Sequence, residues 1–270
     1  DGNIVENGYD NKDVVENLKA AGFLHLPMKP GYDISKECRW VSVLNLKGKT
    51  KEEIFKEFSY QTRQDIRTYE KYCVKTRVLN EDQLDVLDEM EKETSERQDF
   101  EAMSLDYYKD LYKFYGKSHI ETVLSYLDLD AYAIKMQSEF DKTSKDIEKT
   151  KAFLEQNPGN VKKEKRLKTD EEYYNSLLKK LSHIEELKQE YGKEIPLACC
   201  LFVKYGHQIV YLVGSSNYEH RVFRGPYAIQ WKMIQEAIDE GYDLYNFYGI
   251  SGYFHKDEEG YGVFDYKRGY

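Results

Sequence analysis

VKKEKRLKTDEEYYNSLLKKLSHIEELKQEYGKEIPLACCLFVKYGHQIVYLV, residues 161–213, changes its period part-way along. Up to Tyr191 the apolar positions Leu167, Tyr173/Tyr174, Leu177/Leu178, Leu181, Ile184 and Leu187 recur at near-heptad spacing on a heavily charged background. That pattern predicts a long helix with a narrow buried seam. Past Gly192 it becomes β: Ile195–Val203 and Gln208–Val213 flank Tyr205-Gly206-His207, a hairpin signature. Upstream, Asn157-Pro158-Gly159-Asn160 is a strong break. Before it, Ala131, Ile134, Gln137/Ser138, Asp141, Ile147, Phe153 and Leu154 trace a looser helical seam from Leu129. Two charged helices joined by a turn predict an antiparallel coiled-coil hairpin over residues 129–193, set between β elements.

Outward from this arm, Asp13–Ala21 reads as a short amphipathic helix stopped by Gly22, and Phe23–Leu26 as an extended stretch ending at Pro27 and Pro30. Arg39–Leu46 reads as a partly buried strand with apolar residues on both faces. Thr50-Lys51-Glu52-Glu53 fits a capping box opening one helix from Lys51 to Tyr72. A strand at Val74–Leu79 and a helix at Glu81–Glu96 follow. Beyond the hairpin, Pro226 opens a helix through Ala237 that stops at Gly241. Leu244–Tyr248 and Gly262–Lys267 read as closing strands. The order predicts an α+β domain whose mixed sheet is interrupted by a protruding arm. The opening Asp1-Gly2-Asn3 reads like the inside of a longer protein, and Phe264–Tyr270 like a strand cut at its end.

Composition narrows the function. Hydrophobic residues at 40% and charged residues at 33% predict a packed soluble core. A net charge of -9 argues against non-specific coating of nucleic acid, although a local basic patch for one tRNA stays open. Cys38, Cys73, Cys199 and Cys200 lack CxxC pairing, and the six histidines lack metal spacing. Neither a disulfide framework nor a metal site is expected, and a reducing cytoplasm fits. No apolar run approaches 18 residues, so no membrane span is expected. The 25 tyrosines suit either a strand-rich composition or a groove for polar ligands.

Three blocks carry a resemblance: Pro226-Tyr227-Ala228-Ile229-Gln230-Trp231, then Tyr245-Asn246-Phe247-Tyr248-Gly249-Ile250-Ser251-Gly252, then Gly262-Val263-Phe264-Asp265-Tyr266-Lys267-Arg268-Gly269-Tyr270. Gln61-Thr62-Arg63-Gln64-Asp65-Ile66-Arg67 and the helical arm before Glu194-Ile195-Pro196-Leu197 strengthen it. In that order and spacing the chain resembles the Fem family of peptidoglycan interpeptide-bridge aminoacyltransferases. The resemblance implies two acetyltransferase-like (GNAT) modules. Residues 1–35 would be the tail of the first, residues 36–128 and 194–270 the second, and residues 129–193 a coiled-coil arm. It also implies transfer of an amino acid from aminoacyl-tRNA to the stem-peptide amine of a peptidoglycan precursor, lipid II or UDP-MurNAc-pentapeptide. The setting would be cytoplasmic, with peripheral contact at the inner membrane face open, and without cofactor or metal.

Lys267 matches the family's lysine in the closing segment and is assigned to oxyanion stabilisation. A carboxylate for general-base work is not identified, and Asp265 reads as a salt partner of Lys267 on the same strand face. Thr62 and Arg67 are candidates for the precursor diphosphate, with Tyr107 and Tyr108 after Arg97 beside it. One of those two tyrosines is expected in the core. Tyr227 and Tyr248 complete the substrate-binding set through their motif blocks. The segment Arg221–Pro226 lacks the Gly-x-Gly spacing of a pyrophosphate loop, which speaks against acetyl-CoA. Arg221 and Arg224 would meet tRNA phosphate or pair with nearby acids. Lys162, Lys163, Lys165, Arg166 and Lys168 crowd the arm's tip, as a tRNA contact or a solvated end. Two other functions compete: an acyl-CoA-dependent N-acetyltransferase, and a non-catalytic scaffold using the coiled coil for partner binding.

Overall fold

The computed structural model describes residues 12–26, 29–32 and 37–270. Their elements run α1 (Lys12–Ala20), β1 (Trp40–Asn45), α2 (Lys51–Glu57), α3 (Tyr60–Lys71), β2 (Val74–Leu79), α4 (Asp85–Gln98), α5 (Leu105–Tyr115) and β3 (Ile120–Asp128). They continue α6 (Leu129–Gln156), α7 (Val161–Tyr191), β4 (Glu194–Tyr205), β5 (Gln208–Ser216), α8 (Gly225–Asp239), β6 (Leu244–Ile250) and α9 (Tyr261–Lys267). The strands form one six-stranded mixed sheet in the order β1-β6-β5-β4-β3-β2. β5 and β6 run parallel, whereas β1–β6, β2–β3 and β3–β4 are antiparallel. β4 is buried almost throughout, from Leu197 to Val203, which explains its unbroken apolar run.

The chain divides into two compact units. One comprises the described residues up to Ser59 with Lys204–Leu212 and Ala237–Tyr270; the other comprises Tyr60–Val203 and Val213–Glu236. In the second, α6 and α7 meet in an antiparallel hairpin. Asp130 pairs with Lys188 at 2.8 Å near one end and Lys151 with Glu171 at 2.8 Å towards the other, with Phe140 stacked on Tyr174 between them. Asp128 and Asn160 cap the two helices by accepting from the Ala131 and Lys163 N–H groups. The arm's root joins a core cluster that includes Leu127, Tyr132, Met136, Leu177, Ile184, Ile195 and Phe223.

Several sequence expectations need correction. The seam on α6 is carried by Leu129, Tyr132, Met136, Ile147 and Thr150, while Ile134 is 72% exposed. The spacing from 132 to 136 sets that face at the root, and Ile134 lies half a turn away from it. The helix expected from Lys51 to Tyr72 is two helices. Its capping box at Thr50 and Glu53 is present, but Phe58 leaves helical geometry with ψ 149°. Tertiary contacts account for the break: Phe58 is buried against Tyr270, ring centroids 5.2 Å apart, and the Ser59 N–H donates to the Gly269 carbonyl at 2.7 Å. β3 was absent from the sequence reading. Its Thr122 and Ser125 interrupt the apolar pattern yet are fully buried, Thr122 accepting from the Tyr112 hydroxyl at 3.0 Å.

The closing strand expected at Gly262–Lys267 is helix α9. Gly260 enters it with φ +75°, and the buried residues Phe264 and Lys267 are three apart, a helical rather than a β spacing. Phe264 packs edge-on to Phe254 with centroids 5.0 Å apart. The pairing expected of Asp265 with Lys267 gives way to one with Arg268, 2.6 Å away, since helical geometry turns residues two apart from one another.

Candidate active site

The first unit gathers its chemistry at the end of β6. Tyr245 and Phe247 turn inward with under 2% exposure, after which the ladder slips: Val43 pairs with Asn246 but Val41 with Gly249. Phe247 and Tyr248 therefore oppose Ser42 alone, a β-bulge. Tyr248 adopts φ +63°. A bulky residue in the left-handed region costs about 1 to 3 kcal/mol and persists only where surroundings enforce it. Here its N–H donates to Asn246 Oδ1 at 2.8 Å and its hydroxyl donates to the Glu37 carboxylate. The next residue must be glycine, because a Cβ on Gly249 would sit 2.2 Å from Cys38 Sγ. Gly252, with φ +80°, lies under the Trp40 ring, where a Cβ would approach within 2.3 Å. The Tyr248–Gly252 block is thus a backbone that closes tightly on its neighbours.

Lys267 reaches this backbone from α9. It is 8% exposed, its Nζ donates to the Gly249 carbonyl at 2.7 Å, and the Tyr211 ring centroid lies 5.7 Å away. Burial lowers its ammonium from 10.5 to about 8, against a smaller opposing effect from Cys38. The Cys38 thiol is pushed up chiefly by burial, with Lys267 opposing and Glu37 adding a smaller upward push. Tyr32, whose hydroxyl burial raises to about 12, adjoins the same turn, and the Gly31 N–H donates to the Ser251 carbonyl at 2.8 Å. A buried amine held by a neutral carbonyl can present concentrated positive charge to an oxyanion. Lys267 and Tyr248 are brought together through Gly249. The parts played by Cys38, Tyr211 and Glu37 escaped the sequence reading, since they lie far from Lys267 along the chain and form no motif with it.

The other candidates belong to the second unit. Thr62 is buried on α3 while Arg67 is exposed, so the two do not share a face. Tyr107 is 39% exposed and Tyr108 fully buried, as expected of a pair with one core member. The Tyr108 hydroxyl is buried without a hydrogen-bond partner. Tyr227 is half-buried, its N–H donating to the Arg224 carbonyl at 3.1 Å. Arg224 Nε pairs with buried Asp65 at 2.8 Å, and Gln61 also donates to Asp65 at 3.2 Å. Arg221 stacks over Tyr218 at 4.1 Å and donates to its carbonyl. On the arm, Lys162, Lys165 and Lys168 are exposed, Lys163 lies 5.3 Å over the Phe153 ring, and Arg166 pairs with Asp146 and Asp170.

The FemAB family profile matches residues 1–270. Aminoacyltransferase FemA of Staphylococcus epidermidis is 32% identical over 257 residues, which is 95% of this chain and 61% of that protein. Aminoacyltransferase FemA of Staphylococcus aureus strain COL is 32% identical over 270 residues, all of this chain and 64% of that one. The chain thus spans under two thirds of the length of these relatives. The crystal structure of FemX superposes with a TM-score of 0.76 at 24% identity, covering 95% of this chain and 64% of FemX, and so shares the fold. With the profile matched over its whole length, the chain belongs to the FemAB family.

Proposed function

We propose that this chain is the part of an aminoacyltransferase that passes an amino acid from aminoacyl-tRNA to the stem-peptide amine of a peptidoglycan precursor, in interpeptide-bridge synthesis. Support comes from relatives named aminoacyltransferases and, above all, from the buried Lys267 ammonium held on the Gly249 carbonyl. In the reaction the amine nitrogen attacks the ester carbonyl and a tetrahedral oxyanion forms. The amide then results as the tRNA ribose oxygen leaves, taking up the proton the amine gives away. The ester is already activated, so orientation and charge stabilisation are the main demands. Lys267 supplies the charge.

In this reading the sheet and its helices are a GNAT-like module over residues 36–128 and 194–270. Residues 1–35 are the tail of a preceding module, and residues 129–193 are a coiled-coil arm. Thr62, Arg67, Tyr107, Tyr227 and Tyr248 serve the precursor, with the buried Tyr108 packed edge-on behind Tyr107. Arg221, Arg224 and the tip residues Lys162, Lys163 and Arg166 serve the tRNA. The acceptor's lipid-linked and nucleotide-linked forms both place the work in the cytoplasm, at or near the inner membrane face. Among the described residues no helix is long and apolar enough to cross a membrane. Incubating the full-length protein with charged tRNA pools and both precursors should give a precursor heavier by one or more amino-acid residues in the mass spectrum. Unchanged precursor together with acetylation from acetyl-CoA would overturn the reading.

A further inference from the structure

The β6 bulge has a chemical consequence. Tyr248 precedes the glycine whose carbonyl holds Lys267, so its left-handed backbone sets how the chain enters Gly249 and, together with Gly249's own angles, where that C=O points. In the register set by Val43 and Asn246 a regular strand would pair Gly249 with Trp40, whereas the bulge sets Gly249 against Val41. The extra residue re-aims the chain, as bulges beside functional sites do. Two side chains hold the bend: Asn246 Oδ1 accepts the Tyr248 N–H at 2.8 Å, and Glu37 accepts the hydroxyl. Asn246 is itself anchored, donating to Gln208 Oε1 at 3.1 Å. Glycine is the residue that enters this backbone region freely, and a tyrosine there is retained against its own conformational preference.

We propose that Tyr248 is a positioning residue for Lys267, acting through its left-handed backbone to aim the Gly249 carbonyl at the Lys267 amine. The idea rests on Lys267 serving the transfer reaction proposed above, but it concerns geometry within this unit. A neutral carbonyl fixes the amine without the stabilisation a carboxylate would give its charged form. The titratable groups around Lys267 are the Cys38 thiol, with Glu37 beside it, and the Tyr211 phenol.

Backbone and side-chain roles separate by substitution. Tyr248→Gly keeps a residue that accepts positive φ, Tyr248→Val introduces one that resists it, and Asn246→Ala removes the clamp on the Tyr248 N–H. The readout is the pH at which Lys267 in the full chain becomes half-reactive towards an amine-selective reagent, followed on its peptide by mass spectrometry. Wild type should show this near pH 8. Tyr248→Gly should stay close to that value, while Tyr248→Val and Asn246→Ala should move by about one unit, equivalent to about 1.4 kcal/mol. In transfer assays kcat of Tyr248→Val should fall at least roughly tenfold below that of Tyr248→Gly, with precursor KM little changed between them. Should Tyr248→Val not fold, Tyr248→Gly and Asn246→Ala still decide. Tyr248→Gly displaced as far as the others, or Asn246→Ala unmoved, overturns the proposal. Because the titration needs neither tRNA nor precursor, an intact titration pattern with no transfer by wild type would reject the proposed reaction instead.

Discussion

In the full-length protein, Lys267→Met should lower aminoacyl transfer by about two to three orders of magnitude, the scale of losing one oxyanion donor. Precursor affinity should be nearly unchanged. Lys267 is 8% exposed and its Nζ is engaged by the Gly249 carbonyl, so it is placed to act on developing charge rather than to recruit a substrate from solvent. Lys267→Arg should restore little, because a planar guanidinium cannot occupy the space of a compact ammonium between the Gly249 carbonyl and the Tyr211 ring. Steady-state kinetics on variants shown to be folded check both statements. Near-parental turnover in Lys267→Met would remove the lysine from the chemistry, and weaker binding at unchanged turnover would make it a substrate ligand.

The same substitution should make the fold more stable at neutral pH, by about 1 to 2 kcal/mol. Lowering the ammonium from 10.5 to about 8 corresponds to a folding cost of about 3 kcal/mol. Methionine removes that cost but also removes the hydrogen bond to the Gly249 carbonyl, worth about 1 to 2 kcal/mol. The sign follows from the direction of the shift. A base whose folded value lies below its unfolded value carries its full penalty below pH 8, loses it as pH rises from 8 to 10.5, and has none above. The advantage of Lys267→Met should therefore be constant below pH 8 and reverse above pH 10.5, where wild type keeps its hydrogen bond. Urea unfolding of both proteins at pH 7 and pH 10.5 measures this. A variant less stable than wild type at pH 7 would mean that the amine is not costly where it sits. Together the two results would describe a site that trades stability for reactivity.

The sequence disclosed some of this and concealed the rest for identifiable reasons. The continuous apolar run of β4 and the hairpin turn at Gly206 are local signals, and so are the Asn157–Asn160 break and the Thr50–Glu53 capping box. All of them were readable. β3 was hidden because Thr122 and Ser125 are polar yet buried through partners supplied by α5 and β4. α9 was misread because its valine, phenylalanine and tyrosine favour strands, whereas Phe264 and Lys267 follow a helical spacing fixed by what they pack against. The break at Phe58 likewise depends on Gly269 and Tyr270, more than 200 residues further on. Lys267 is a candidate through its motif, as is the block that holds Gly249, whereas Cys38 and Tyr211 meet it only in the folded chain.

The most direct measurement of the central claim, that a buried Lys267 ammonium stabilises the transfer transition state, is the pH dependence of single-turnover transfer in the full-length protein. The ammonium is the active form, so the rate should fall as pH rises through a value near 8, set by burial of Lys267. The residual rate of Lys267→Met should lack that alkaline limb while keeping the acid limb that reports deprotonation of the acceptor amine. A wild-type rate still climbing past the Lys267 value, or an alkaline limb that survives in Lys267→Met, would contradict it.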